Sequence, residues 1–327
     1  MKKIKIGILG CNYMGKMHAD CYGAIEGVEI VAVADLNEET AKNVAGRYGS
    51  KVYTDAKKLI EETELDAVDI CLPTFLHAQY ATLAMDRGIP YLFIEKPVAL
   101  NQEECALLLQ KQKETGCRVQ VGQVIRFWDE YVYLKKLFDE KMYGDVVNAS
   151  FKRLSPSPTW SSNNWMKNTK LSGGAIVDLH IHDIDYMLYL FGEPKKSSYV
   201  KNIRGEHNSY ITTVCEYENF VVSVEGTWFL PPSYPFNMYY RVVFEKAVVE
   251  YDKGKVTVYD ENGSFTPSIE KSAAVFGDFE GGNISEQSGY INELTYFIDC
   301  IKMDKEIERA RLCDGARSLA FILDELK

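Results

Sequence analysis

The sequence predicts an α/β protein with an N-terminal Rossmann domain, a parallel doubly wound sheet, and a C-terminal α/β domain on a large, mostly antiparallel open sheet. Three observations predict this class. Short apolar runs alternate with helical stretches in the first part of the chain, a glycine turn separates the first run from the first helix, and polar/apolar alternation follows later. We place the domains at residues 1–122 and 123–327.

In the first domain each predicted strand is a short, continuous apolar run. The predicted strands are 4–9, 30–34, 67–72, 91–94 and 118–121, and the predicted helices are 14–24, 38–48, 77–87 and 102–115. Strands that alternate with helices in this way are joined by crossover connections. We therefore expect a parallel sheet covered on both faces.

The second domain is predicted to begin with an amphipathic helix and to end with two more helices. The helices are placed at 128–141, 290–303 and 313–326, and the strands at 146–154, 196–204, 210–217, 220–228 and 239–244, with a hairpin at 248–259. Residues 260–289 are rich in Gly, Ser and Asn, which predicts a long loop.

Composition excludes several classes of partner. The 327 residues carry a formal net charge of -10, which argues against nucleic acid as a ligand because such proteins need a basic surface. No run of eighteen apolar residues occurs, so we expect no membrane segment. The eight cysteines form no CxxC pair, and we expect reduced thiols in a cytoplasmic protein.

The glycine turn, Gly10–Gly15, has the pattern of a dinucleotide-binding fingerprint in which Asn12 replaces the middle glycine. Such a turn brings backbone amides at a helix N-terminus close to a pyrophosphate. Asp35 ends the second predicted strand, 20 residues beyond Gly15, where a carboxylate accepts ribose hydroxyls and repels a 2′-phosphate. This predicts NAD rather than NADP. The alternative is a plain strand-to-helix connection with a surface aspartate.

Glu95, Lys96 and Pro97 follow directly after the predicted strand 91–94. In open α/β sheets the ligand crevice lies at the carboxyl ends of the strands, so Lys96 is predicted to face the cofactor. The alternative is a solvated lysine in a loop before a helix.

The segment GGAIVDLHIHDID, residues 173–185, holds two of the five histidines in the chain and three aspartates. We predict one helix over 173–191, with Ser172 as its N-cap and Gly192 at its end. Asp178, His182 and Asp185 then share one stripe, whereas His180 and Asp183 point elsewhere.

Two other interpretations of this segment are a metal site and a solvated helix face. His180 and His182 could bind a metal if they lay on a strand, but residues two apart diverge on a helix, so no metal is expected. The acidic residues could form a solvated helix face.

Upstream, Trp160 and Trp165 could line a sugar site or lie in the core, and we predict that Trp165 binds substrate.

Five segments together resemble the Gfo/Idh/MocA family of nicotinamide-dependent oxidoreductases: GILGCNYMGKMHA, CLPTFLHAQYA, IEKPVAL, VGQVIRFWDEY and SGGAIVDLHIHDID. The resemblance implies catalytic roles for Lys96, Asp178 and His182, and a place in the polyol site for Asp185. It also implies that the Pro73–His77 loop and Glu95 lie near the cofactor, and that the Lys96–Pro97 bond is cis. The predicted cofactor-binding residues are Gly10, Asn12, Tyr13, Met14, Gly15, Asp35, Pro73, His77, Glu95 and Lys96.

The predicted function is therefore an NAD-dependent oxidoreductase that transfers a hydride between nicotinamide and a secondary alcohol or ketone of a sugar, inositol or related polyol. A non-catalytic NAD-binding regulator on the same scaffold is the alternative, and a metal-dependent hydrolase is a third possibility. The resemblance implies a homodimer or homotetramer formed through the second sheet, with strands 210–228 and 239–244 as candidates.

Overall fold

A computed structural model describes residues 3–159, 161–204, 208–272 and 288–326. Within these residues the chain divides into two compact units: unit 1 holds 3–124 and 288–320, and unit 2 holds 125–272 and 321–326. The first boundary lies two residues from the predicted one. Residues 288–320, which the sequence places in the second domain, belong to unit 1.

The described residues contain fourteen strands and ten α-helices. The strands are β1 Ile4–Leu9, β2 Val28–Ala34, β3 Lys51–Tyr53, β4 Ala67–Ile70, β5 Tyr91–Glu95, β6 Arg118–Gly122, β7 Val146–Pro156, β8 Lys196–Arg204, β9 Asn208–Glu216, β10 Val221–Leu230, β11 Asn237–Phe244, β12 Ala247–Asp252, β13 Lys255–Asp260 and β14 Gly263–Phe265. The helices are α1 Tyr13–Ala24, α2 Glu38–Tyr48, α3 Ala56–Glu62, α4 His77–Asp86, α5 Gln102–Thr115, α6 Asp129–Asp139, α7 Thr169–Ser172, α8 Ile181–Phe191, α9 Ser288–Lys302 and α10 Leu312–Leu326.

Unit 1 is built on a six-stranded parallel sheet in the order β3-β2-β1-β4-β5-β6. Its central strands are buried along nearly their whole length, as expected for a sheet covered on both faces. The order reverses between β1 and β4, and ligands of such sheets bind at the carboxyl ends next to this point. The predicted Rossmann domain is confirmed.

Unit 2 is built on an eight-stranded sheet in the order β14-β13-β12-β11-β7-β10-β9-β8. Every pair is antiparallel except β7 with β10. Buried residues alternate with more exposed ones along β10, β11 and β12, because one face packs on helices of the unit. The predicted large, mostly antiparallel sheet is confirmed.

The predicted single helix over 173–191 is partly wrong. A short helix, α7, ends at Gly173, whose φ is 76°, and a π-helical turn over Ile176–His180 precedes α8. Ser172 closes α7 instead of preceding a helix, yet its Oγ accepts a hydrogen bond from the amide of Gly174 at 3.0 Å. The predicted end at Gly192 is confirmed.

The predicted loop 260–289 lies partly outside the described residues. The described part contains the short strand β14, followed by 266–272 without helix or strand. All eight cysteines lie in the described residues and are unpaired thiols. No helix among the described residues has both the length and the apolar composition that crossing a membrane requires.

Candidate active site

The glycine turn after β1 is tightly packed. Gly10 has a φ of 89°, and a Cβ on it would lie 2.6 Å from the carbonyl oxygen of Cys71. A Cβ on Gly15 would lie 1.8 Å from the carbonyl oxygen of Gly10. Both positions therefore require glycine. Asn12 has a φ of -76°, an ordinary value for any residue, so the middle position of the motif does not need one.

Asn12 precedes α1 at the N-cap position, but its side chain makes no cap hydrogen bond. The side-chain nitrogen of Asn12 instead donates a hydrogen bond to the carboxylate of Asp35 at 3.4 Å. Asp35 also accepts from the amides of Cys11 and Asn37, each at 2.9 Å, and is thereby fixed just beyond the end of β2. Tyr13 and Met14 form the first turn of α1. A close-packed turn, a helix N-terminus without a side-chain cap and a fixed carboxylate fit a dinucleotide.

Lys96 lies in a turn at the carboxyl end of β5. Its bond to Pro97 is cis, as predicted. Its backbone amide donates to Oε2 of the preceding Glu95 at 3.1 Å. Glu95 is 7% exposed, and a Cβ on Gly122 of β6 would lie 3.0 Å from its carboxylate. The Glu95 carboxylate is therefore enclosed.

Pro73 begins a short turn that leads into α4, whose first residue is His77. His77 is buried, with Nδ1 2.9 Å from the carbonyl oxygen of Pro97 and Nε2 2.6 Å from that of Leu72. Burial lowers the pKa of His77, and the two carbonyls only partly oppose this. The structure thus places His77 against the backbone of the Lys96 turn. Direct contact of His77 with the cofactor stays a prediction.

His18, which no sequence pattern singles out, lies fully buried in α1. Its Nδ1 is 2.8 Å from Asp69 and 3.2 Å from the sulfur of Cys71. Donor atoms of His, Asp and Cys this close could suggest a metal site. However, these are hydrogen-bond distances, and Nδ1 of His18, the carboxylate of Asp69 and the thiol of Cys71 already bond to one another. The signal for this cluster is Asp69, a charged residue in the apolar strand β4, because a buried carboxylate requires a partner.

In unit 2 the five titratable groups of residues 178–185 differ sharply in exposure. Asp178, in the π-helical turn, is 7% exposed, and His180, Asp183 and Asp185 are buried almost completely. His182, in the first turn of α8, is half-buried. A solvated acidic face is therefore wrong for this helix. Among these five groups, His182 is the one that is not buried.

Two buried ion pairs hold α8. Asp185 accepts from Nε and from one terminal nitrogen of Arg126, each at 2.7 Å. Asp183 accepts from Arg153 of β7 at 2.8 and 3.2 Å. The Asp185 carboxylate thus has a structural partner, and its direct contact with substrate stays a prediction.

His180 belongs to a third buried group. Its Nε2 lies 3.0 Å from the hydroxyl of Thr213, and that hydroxyl donates to Glu325 of α10 at 2.7 Å. Gly226 of β10 leaves room for the ring, since a Cβ there would lie 2.8 Å from Nδ1 of His180. Burial lowers the pKa of His180 to about 3, so its imidazole is neutral near pH 7.

Trp165 is half-buried and packs on an apolar cluster. The buried members of this cluster are Met166, Ala175, Leu179 and Trp228. This packing favours a core role for Trp165, although Leu179 comes from the same π-helical turn as Asp178. Trp160 lies outside the described residues.

Comparison with known proteins identifies the family. Residues 4–123 match the model "Oxidoreductase family, NAD-binding Rossmann fold", and residues 131–250 match the GFO/IDH/MocA C-terminal domain. Together these matches cover well over half of the chain. This chain belongs to the Gfo/Idh/MocA family of oxidoreductases.

Two curated relatives are dehydrogenases. Inositol 2-dehydrogenase of Rhizobium meliloti is 32% identical over 191 residues, which is 58% of this chain and 56% of the relative. Glucose-6-phosphate 3-dehydrogenase of Bacillus subtilis is 27% identical over 216 residues, 64% of this chain and 59% of the relative. The matched regions thus span little more than half the length of these relatives.

Two solved structures share the fold over nearly their full length. Levoglucosan dehydrogenase, solved with NADH and levoglucosan, has a TM-score of 0.84 at 20% identity, covering 98% of this chain and 95% of that chain. Apo scyllo-inositol dehydrogenase from Lactobacillus casei has a TM-score of 0.78 at 22% identity, covering 98% and 94%. With the Rossmann match, NAD is the cofactor expected for this family member.

Proposed function

We propose that this member of the Gfo/Idh/MocA family is an NAD-dependent oxidoreductase. It transfers a hydride between nicotinamide and a secondary alcohol or ketone of a sugar, an inositol or a related polyol. The observation that carries the proposal is His182, a half-buried imidazole four residues after Asp178, in a segment whose other histidine and three aspartates are buried. The dehydrogenase relatives named above support the substrate class.

In this proposal His182 accepts the proton of the substrate hydroxyl during oxidation and returns it during reduction. Histidine suits this role because its ordinary pKa lies nearest to neutrality among the side chains. Asp178, four residues earlier, orients the imidazole and stabilises its charged form. NAD, when bound, supplies the acceptor for the hydride.

Lys96 is proposed to hold the substrate oxygen and to stabilise the negative charge that develops on it. An ammonium group is a strong donor to an oxyanion, and this stabilisation is greatest where water is excluded. Glu95 is enclosed and accepts a hydrogen bond from the backbone amide of Lys96. The backbone from which the lysine side chain extends is therefore held in place. Asp185 and Trp165 are proposed to contribute to substrate binding.

The activity can be tested by following NADH absorbance with a panel of inositols, sugars and their ketones. Reduction of NAD by at least one polyol supports the enzyme. Tight NAD binding without turnover on an inclusive panel of both alcohols and ketones would favour the non-catalytic regulator instead. We further propose that the protein is cytoplasmic, in keeping with its eight unpaired thiols.

The residue roles make the first prediction. Lys96→Ala and His182→Ala should each lower turnover by roughly 10²–10⁴-fold, the usual contribution of a general acid or base, while the Kd for NAD changes little. His180→Ala is the control, because it removes a second imidazole from the same helix. It should lower turnover far less. A dispensable His182 with an essential His180 would contradict the assigned roles.

A further inference from the structure

Two buried histidines of unit 1 contact the turn that carries Lys96, and neither has a role in the proposed chemistry. His18 of α1 is 0% exposed and His77 of α4 is 1% exposed. One lies against the side chain of Glu95, and the other against the carbonyl of Pro97. The residues on both sides of Lys96 are therefore each in contact with an imidazole.

His18 connects Asp69 to Glu95. Its Nδ1 lies 2.8 Å from Asp69, and its Nε2 lies 3.1 Å from Oε1 of Glu95, a contact with the distance of an ion pair but without hydrogen-bond geometry. Burial opposes a charge on this ring, but the charge of Asp69, the contact with Cys71 and their hydrogen bonds to Nδ1 together outweigh burial and hold the pKa of His18 well above its ordinary value. His18 therefore lies between two carboxylates, an arrangement that favours its protonated form.

Glu95 transmits this contact to Lys96. Oε1 faces His18, and Oε2 accepts the hydrogen bond from the backbone amide of Lys96 at 3.1 Å. The backbone of β6 at Gly122 closes the remaining side, as shown by the 3.0 Å distance from a hypothetical Cβ to the carboxylate. A contiguous series of contacts thus runs from Asp69 through His18 and Glu95 to the amide of Lys96.

His77 holds the other side of the turn. Its two ring nitrogens lie 2.9 Å from the carbonyl oxygen of Pro97 and 2.6 Å from that of Leu72. The ring is therefore packed between the segment after β4 and the turn after β5, and in its neutral form its one N–H donates to one of the two carbonyls. The Cα of Lys96 lies between the part fixed by Glu95 and the part fixed by Pro97.

We propose that His18 and His77 are positioning residues that fix the backbone from which Lys96 extends, His18 through Glu95 and His77 through Pro97. The proposal rests on the proposed role of Lys96 and assigns both histidines an action on the backbone of its turn, separate from the predicted contact of His77 with the cofactor. An error of about 1 Å in the placement of a catalytic group can lower turnover by about 100-fold, so a small shift of this turn would be measurable.

A double-mutant cycle tests this proposal. His18→Gln, His77→Gln and Glu95→Gln are each made in the wild type and in Lys96→Ala, and kcat, KM and the Kd for NAD are measured. A residue that acts through Lys96 has little left to disturb once the ammonium group is gone. We expect each change to lower kcat about 10-fold or more in the wild type and less than about 3-fold in Lys96→Ala.

His180→Gln serves as the matched control, since it is also a fully buried imidazole but lies in unit 2. Its effect on kcat should be the same factor in both backgrounds. If His18→Gln and His77→Gln lower kcat by the same factor in Lys96→Ala as in the wild type, the proposal is overturned, because the two histidines then have a general structural role. If His18→Gln does not fold, the Glu95→Gln cycle decides the same point. A normal kcat for Lys96→Ala alone would instead overturn the proposed role of Lys96.

Discussion

At the scale of single residues, the departure from the usual glycine motif at Asn12 is compatible with cofactor binding. Its φ of -76° is ordinary, and its side chain reaches Asp35 instead of the amides of α1. Three donors thus converge on the carboxylate of Asp35: the amides of Cys11 and Asn37 and the side chain of Asn12. They hold a negative charge in the position expected to meet the cofactor ribose.

This arrangement predicts a strong preference for NAD. Asp35 would repel a 2′-phosphate, and a charge clash of a few kcal/mol corresponds to a preference of about 100-fold or more. Fluorescence titration at low salt should therefore give a Kd for NAD at least about 100-fold below that for NADP. Asp35→Ser should reduce this ratio, whereas Glu38→Gln, a change at an exposed carboxylate nearby, should not. Equal dissociation constants in the wild type would contradict the prediction.

At the scale of elements, local patterns predict most of the chain. The bounds of α2 and α5 are predicted to the residue because Asn37 and Asn101 cap their starts, and a left-handed glycine follows each end. β3 is missed, since three residues are too few to show a period. The π-helical turn is also missed, because a single turn of five residues is too short to show a period of its own in the sequence.

The contacts within the candidate site could be predicted only in part. The glycine turn, Asp35 and Lys96 follow from their places at strand ends, which sequence patterns reveal. The ion pair of Arg126 with Asp185 joins residues 59 apart, and that of Arg153 with Asp183 joins residues 30 apart. No local pattern specifies such pairs, because they depend on which elements pack together. His18 is missed for the same reason.

The buried group around His180 predicts a pH-dependent stability. Burial raises the pKa of Glu325 from 4.5 to about 7, despite the Thr213 hydroxyl and the charge of Lys201. The folded protein thus binds this proton more tightly than the unfolded chain does. The contribution of Glu325 to stability is therefore lost as pH rises from 4.5 to 7, by up to about 3 kcal/mol.

Glu325→Gln should consequently raise the unfolding temperature of the protein at pH 8 by several degrees and change it little at pH 5. Differential scanning calorimetry at the two pH values measures this difference. Asp324→Asn is the control, because its side chain is the exposed neighbour on the same helix. An equal rise in the unfolding temperature at both pH values would show that the effect of Glu325→Gln does not come from the raised pKa of Glu325.

At the scale of the whole molecule, we propose assembly through the outer face of the unit 2 sheet. Val222 and Val224 of β10 face the unit's interior and are fully buried, whereas Val221 and Phe229 on the opposite face are 40% and 49% exposed. Val200 of β8 and Tyr259 of β13 add exposed apolar side chains to that outer face. Apolar side chains on an open sheet are suited to pairing with a second copy.

Light scattering at micromolar concentration should therefore show a dimer or a tetramer. Val221→Lys with Phe229→Lys should shift the protein toward smaller species, because two charges would be desolvated in the interface. Met303→Lys, a change at an exposed apolar residue of unit 1, should leave the mass unchanged. A stable monomer in the wild type would contradict this prediction.

The close approach of Gly226 to His180 limits the substitutions that this protein can accept at position 226. A side chain as small as alanine at 226 would meet the imidazole at 2.8 Å, and His180 belongs to the same π-helical turn as Asp178. A substitution at 226 is therefore tolerable only after a smaller residue has replaced His180. We expect these two positions to covary among orthologues, so that mutations acquired in the opposite order are removed by selection.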